Sequence, residues 1–360
     1  MTTLSIGNSI SRSPLPRRSF SEGGPATPEP REGGSLLTIL RLRFGVLLIA
    51  LALALFAPSQ TATAQAGDGS RGDGTSTAEG DGALNNLLNG FSNTAIGFDT
   101  LYHITNASYN TATGASALFN NTASYNTATG AAALYSNHTG ASNTANGFNA
   151  LYSNTTGGYN TANGYQALSF NTTGFYNTVN GAAALYSNTT GGYNTANGYQ
   201  ALSFNTTGGF NTANGFEALF SNTTGTYNTA NGVTALFSNT TGGYNTANGA
   251  AALYTNATGG FNTANGVNAL FSNIAGHDNV ATGAYALYGN TTSNGVSGNY
   301  NTANGVRALY SNTIGVDNTA SGYTALYSNT GGYDNTANGF AALFSNTTGK
   351  YNTATGYFAL

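Results

Sequence analysis

The chain has no cysteine and very little charge. Among its 360 residues there is no Cys, and Asp, Glu, Lys and Arg together make up 6%. The first absence excludes disulfide staples and thiolate metal sites. The second sets the chain apart from ordinary soluble domains, in which about a quarter of residues are charged. A net charge of −3 offers no electrostatic footing for nucleic acid or an anionic membrane surface. An apolar pattern of helical period is missing too, because Gly and Asn recur every few residues. Yet the composition is not that of a disordered chain, which needs high net charge and few aromatics. Apolar residues are 40%, with 23 Tyr and 19 Phe. What fills the space left by these absences is repetition.

The N-terminus reads as a targeting segment. Residues 1–43 are polar and include Arg12, Arg17, Arg18, Arg31, Arg41 and Arg43, and Phe44–Ala57 is an unbroken apolar run. Ala62-Thr63-Ala64 and Ala64-Gln65-Ala66 then supply small-residue cleavage sites. A basic flank, a short apolar core and A-x-A form a secretory signal peptide, and the run falls short of the about 20 residues a membrane span needs. The expected organisation is an extension and signal peptide over 1–66, a flexible Gly-rich linker over 67–82, and a repeat domain over 83–360. Arg71-Gly72-Asp73 lies in the linker and reads as a product of its composition.

From Asn93 a 17-residue unit recurs fifteen times, and a further copy begins at Asn352. A representative copy is Asn194–Phe210, N-T-A-N-G-Y-Q-A-L-S-F-N-T-T-G-G-F. With the leading Asn as position 1, Leu stands at position 9 in every copy, Gly at 5, and Ala at 3 and 8 with single exceptions at Val179 and Thr100. A period this short marks a solenoid. Asn-Gly at positions 4 and 5, as in Asn163-Gly164, Asn197-Gly198 and Asn214-Gly215, marks a tight turn, and N-T-T-G-G at 12–16 a looser one. Between them lie two strand-length segments, positions 17 to 3 and 6 to 11. The chain is therefore expected to be all-β, a parallel β-roll or β-solenoid with two short strands per coil. Leu151, Leu168, Leu185, Leu202, Leu219, Leu236, Leu253 and Leu270 form its core with the two Ala columns. Simple alternation cannot turn positions 8 and 9 inward together, so a bulge or corner is expected there.

Parallel copies stack about 4.8 Å apart, giving a rod on the order of 75 Å. Stacking explains the scarcity of charge, because a charge at a fixed position would face its own copy, whereas Asn, Thr and aromatics gain from self-stacking. The few charges collect at position 7 (Asp99, Glu217, Arg307) and position 17 (Asp278, Asp317, Asp334), which makes position 7 the expected solvent column. One copy, Asn279–Tyr300, has five extra residues, and these must leave the coil as a loop.

Catalysis needs convergent titratable groups. His103, His138 and His277 fall at different positions of separate coils, so no catalytic residue, no cofactor and no enzyme activity are expected. Asp317 and Asp334 share position 17 in adjacent coils and are the one candidate metal pair, a calcium site completed by Asn oxygens or simply two solvated carboxylates. Sequons such as Asn154-Thr155-Thr156 arise from the turn sequence itself.

The N-T-A-I-G of Asn93–Gly97, taken with the A-L and N-T-T-G that follow in later copies, resembles the head repeats of the YadA type of trimeric autotransporter adhesins. The resemblance covers about three quarters of the chain. It implies a left-handed β-roll that forms a homotrimer on a bacterial surface and binds an extracellular matrix protein, a glycan or another cell, without insertion of the repeats into a membrane. Most copies here depart from that motif, reading N-T-A-N-G or N-T-A-T-G. The expected function is thus a secreted or cell-surface adhesin. A structural fibre or spacer without a specific ligand is the alternative, and an ice-binding solenoid, suggested by Thr columns at positions 2, 13 and 14, is a lesser one.

Overall fold

The computed structural model describes residues 75–293 and 295–360. The extension, the signal peptide and the linker as far as residue 74, with its Arg71-Gly72-Asp73, lie outside the described residues. Among the described residues there is no helix, and the regular structure is a stack of three-residue strands at positions 2–4, such as Thr161–Asn163 and Thr195–Asn197. Each pairs in parallel and in register with the strand one coil on, so Thr faces Thr, Ala faces Ala and Asn faces Asn. The result is a 17-stranded sheet. β-branched Thr favours the extended backbone, Ala at position 3 turns inward, and Gly at position 5 ends the strand at φ between 124° and 145° in the complete coils after the first.

The core is narrow. Leu151, Leu168, Leu185, Leu202, Leu219, Leu236, Leu253 and Leu270 have no solvent exposure, and neither do the alanines at position 8 beside them and position 3 opposite. The segment from 6 to 11, expected as a second strand, is instead a run of turns stitched to its neighbours. Position 7 and position 9 both take positive φ, as at Gln166 (53°) and Leu168 (53°). Each left-handed residue reverses the sense of the next amide. The Gln166 N–H therefore donates back to Phe148 O (2.9 Å), while the Leu168 N–H donates forward to Ala184 O (3.0 Å). This reversal is what turns positions 8 and 9 inward together. A left-handed conformation is unfavourable for Leu, and here it is held by full burial and by hydrogen bonds to both neighbouring coils.

Two further columns are buried although polar. The asparagines at positions 1 and 12 have at most 1% exposure in the coils between Asn121 and Asn335. At position 12 each Nδ2 donates to the Oδ1 of the Asn one coil back, as in Asn154 to Asn137, Asn171 to Asn154 and Asn188 to Asn171, at 2.7–2.8 Å. The same Nδ2 donates to the Gly carbonyl at position 15 of its own coil, Asn154 to Gly157 at 2.8 Å. At position 1, Oδ1 accepts the backbone N–H of the next Asn (Asn160 N to Asn143 Oδ1, 3.0 Å), and Nδ2 reaches that same Gly157 carbonyl at 2.8 Å. Among the described residues no buried side-chain nitrogen or oxygen lacks a partner. Sequence reading assigned both columns to strand and turn. The signal it passed over is that Asn holds position 1 in every copy and position 12 in all but one, where Ile104 takes its place, fully buried, before the position-12 chain begins at Asn121.

The glycine at position 15 has no room for a side chain. A Cβ on Gly157 would overlap Gly174 O and Asn154 Oδ1. Position 5 is closed for the same reason and by its φ, since a Cβ on Gly198 would overlap the Gly215 carbonyl. Position 16 is looser and also holds Ala141, Phe175, Thr226 and His277.

One expected boundary and one expected solvent column differ. The first coil starts at Ser76, not at Ala83: Thr77–Glu79 pairs in register with Thr94–Ile96. Ser76 stands where later coils have Asn, is 1% exposed, and accepts the Asn93 N–H on its Oγ at 3.1 Å. One hydroxyl thus performs the acceptor part of the amide, which hides the coil from a search for the motif. Position 7 is not the open column either. Asp99, Asn149, Gln166 and Glu217 are half-buried, and the most exposed column of this segment is position 6, with Phe98, Phe148, Phe216 and Val233. In the long copy the extra residues form a small antiparallel hairpin, Thr292–Ser293 with Val296–Ser297, while the sheet passes beneath from Val280–Thr282 to Thr302–Asn304.

Two substitutions test this account. Asn205→Leu breaks the position-12 chain in the middle and strands an amide above and a carbonyl below; it should cost about 2–4 kcal/mol, read as an earlier denaturant midpoint. Gly198→Ala should cost about 3 kcal/mol or more, from strain and overlap together, while Gly158→Ala, copying Ala141, should leave the midpoint within about 0.5 kcal/mol.

Candidate interaction surface

The few His, Asp and Glu side chains of the described residues are spread along the scaffold. Among the described residues there is no group of three or more His, Cys, Asp or Glu placed to hold a metal. Asp317 and Asp334 are both exposed, at position 17 of consecutive coils, with φ of 55° and 53°. His103 packs edge-on against Phe119 with ring centroids 4.9 Å apart, and His277 Nδ1 meets Asp278 Oδ2 at 2.8 Å, in different parts of the rod. The sequon asparagine Asn154 is buried with Nδ2 committed to two hydrogen bonds, so the folded coil withholds it from glycosylation. Asn163, Asn197 and Asn214 end their strands, and Gly164, Gly198 and Gly215 follow with φ of 139° to 143°.

What the fold does present is rows. Successive rings at position 17 stack from Tyr159 through Tyr176, Tyr193, Phe210, Tyr227 and Tyr244 to Phe261. Their centroids are 4.8–5.1 Å apart and their planes within 19° of parallel. This is the coil spacing itself, so offset stacking follows from the sheet without added strain. The ring faces are covered by one another, and the surface receives ring edges and hydroxyls. These rings are 45–59% exposed.

A second row runs beside the first. Position 14 is an exposed Thr in the same seven coils, from Thr156 to Thr258. Between the rows lies position 16, mostly Gly, and the structure has shallow grooves there, one lined by Thr156, Gly158 and Tyr159 and another by Thr241, Gly243 and Tyr244. The Thr at position 13 is not part of this face, because its hydroxyl donates to the next coil's carbonyl (Thr155 Oγ1 to Thr172 O, 2.9 Å). The double row is about 29 Å long, ending at Ser142 on one side and at Asp278 on the other, where the aromatic column stops. A second stack at position 10, for example Phe220, Phe237, Tyr254 and Phe271 at 5.0–5.1 Å, is more deeply set.

Among the described residues from Asn93 on, charge falls at positions 7, 16 and 17. Burial holds the Glu217 carboxyl above its ordinary range, and burial, reinforced by Asp81, does the same for Asp99. At the far end Lys350 lies over the Tyr333 ring at 5.3 Å and lowers that phenol's proton affinity through a hydrogen bond. No protein-family model matches the chain, and no curated protein matches it.

The raised Glu217 sets a pH dependence. A carboxyl whose folded affinity for protons exceeds its unfolded one favours the fold most at acid pH, and that contribution is lost as pH rises past the ordinary 4.5. Glu217→Gln should therefore melt slightly above the parent at neutral pH and level with it in acid, and paired melting curves at the two pH values check this.

Proposed function

We propose that this protein is a secreted or cell-surface adhesin-like rod that binds through a long regular face rather than at a point, and that it is not an enzyme. The observation carrying the proposal is the double row of exposed Tyr or Phe and Thr over seven coils, uncharged along its length. A contiguous apolar strip of this size on a soluble rod marks an interaction surface, and a partner that meets ring edges and hydroxyls every 4.8 Å gains the same small contact many times over. A matrix protein, a glycan chain or a surface on another cell each offers that repetition. The likeness of N-T-A-I-G to YadA-type head repeats supports the same reading and adds a homotrimer. The signal-peptide pattern supports export.

The alternative is a fibre or spacer whose coil number sets its reach, and it too rests on an observation: the stacked rings spend their faces on each other, so the columns earn their place by stability alone. Replacing Tyr176, Tyr193, Tyr227 and Tyr244 by Ser separates the two. Ser142 already occupies this position, so the coil accommodates it. Adhesion of coated beads to matrix proteins, polysaccharides and cells should fall by tenfold or more, roughly as expected when several contacts of about 0.5 kcal/mol are lost together. Unchanged adhesion with a lower melting point would support the spacer. The solution mass of the repeat domain, three times that of one chain on this proposal, checks the trimer separately.

A further inference from the structure

The Asn-Gly pairs at positions 4 and 5 are chemically the most fragile bonds in the chain, and the fold guards them unequally. Loss of ammonia from such a pair begins when the Gly nitrogen attacks the Asn side-chain carbonyl carbon. A new C–N bond closes a five-membered imide, the Gly amide proton passes to solvent, solvent returns a proton to the leaving Nδ2, and the bond to Nδ2 breaks to release ammonia. Water then adds to one of the two imide carbonyls and opens the ring to aspartate or isoaspartate. No oxidant or reductant is involved.

Every pair shares one brake. The Gly N–H donates to the position-4 carbonyl of the preceding coil: Gly198 to Asn180 O at 2.9 Å, Gly305 to Thr282 O at 2.8 Å, Gly339 to Ser321 O at 2.8 Å. Only some pairs have a second. From Asn146 to Asn265 the position-4 side chains form their own chain, each Nδ2 donating to the next Oδ1, as in Asn180 to Asn197, Asn197 to Asn214 and Asn214 to Asn231, at 2.7–2.8 Å. An amide held on both sides cannot swing its carbon toward the Gly nitrogen without breaking two bonds. Asn304 and Asn338 stand outside this chain. The neighbours of Asn304 across the sheet are Thr282 and Ser321, and those of Asn338 are Ser321 and Thr355. Both are exposed, whereas Asn197, Asn214, Asn231 and Asn248 are half-buried.

We propose that Asn304 and Asn338 are sites of spontaneous deamidation in the folded protein and that the amide chain shields the asparagines between Asn163 and Asn248. The two sites are separated by the coil of Ser321, so the new carboxylates would lie about 9.6 Å apart, near a Debye length at physiological salt. The same change at two adjacent laddered positions would set like charges about 4.8 Å apart.

The test is to age the full chain at mildly alkaline pH and map it with chymotrypsin, following the mass gain as NH2 becomes OH and the isoaspartate share. Arg307 and Asp334 distinguish the two peptides of interest from the other copies. Asn304 and Asn338 should convert about tenfold or more faster than Asn231, the factor that two net hydrogen bonds supply, and the difference should vanish in denaturant. Ser321→Asn, which restores the usual residue and would link Asn304 to Asn338, should slow both. Equal rates in the folded chain, or no slowing in Ser321→Asn, would overturn the proposal.

Discussion

The carbonyl of Gly157 accepts one amide proton from Asn154, three residues back, and another from Asn143, the leading Asn of the same copy and almost a full turn earlier, both at 2.8 Å. The same arrangement recurs at Gly174, Gly191 and Gly208. It binds the two buried asparagine columns to each other and each coil to the next. Much of the remaining structure follows from it. Gly157 must lack a side chain because the position-12 amides of its own and the next coil, Asn154 and Asn171, and the Gly174 carbonyl occupy that space. The turn from 12 to 16 must keep one shape, so insertions enter where the carbonyl can still be reached. In the long copy Gly298 takes over the role, accepting from Asn290 and Asn279 at 2.9 Å, with the hairpin carried outside.

Such a network suits a core that is otherwise Ala and Leu, with Val179 and Ile104 as exceptions. Buried amides left unpaired would be costly, but an amide has both a donor and an acceptor, so a column of amides satisfies itself at the spacing the sheet imposes. Carboxylates and ammonium groups cannot do this. The rule that each side chain meets its own copy about 4.8 Å away therefore acts as a filter: Asn inside, Thr and aromatics outside, and charge sparse, with like charges in one column of consecutive coils from Asn93 on at Asp317 and Asp334 alone. The burial cost at Glu217 and Asp99 shows the filter at its margin, since even a half-buried single carboxyl on the rod is held toward its protonated form.

This filter also decides what was legible in the sequence. The period, the β-solenoid class and the inward Leu and Ala columns could be read because apolar identity repeated at fixed positions is a direct statement about a core. The buried asparagines were less so, since Asn is ordinarily a turn residue and nothing in one copy separates the buried Asn205 from the half-buried Asn197. The second strand was misjudged because positive φ at Leu and Gln is not a propensity: it is imposed by hydrogen bonds to coils on both sides. Ser76 hid a whole coil because a hydroxyl and an amide oxygen look unalike in sequence but serve alike as acceptors. The face formed by positions 14 and 17 was invisible for a related reason. Its two rows are three residues apart in the chain, and only the bend of the second turn sets them side by side with Gly between.

The breaks in the rows bear on function as much as the rows do. A column kept only for stability would gain from running the length of the rod, because each added ring contributes a stacking contact. The position-17 column is instead interrupted at Ser142, Asp278, Asp317 and Asp334, with Tyr109 and Tyr125 before the first break, Tyr300 between the second and third, and Tyr351 after the last, while the sheet and both buried amide columns continue through these coils. The scaffold therefore does not need the rings in every coil. Their concentration in seven consecutive coils, beside an equally unbroken run of exposed Thr, gives the rod a bounded face distinct from the rest of its surface, which is a feature expected of a binding strip more than of a spacer.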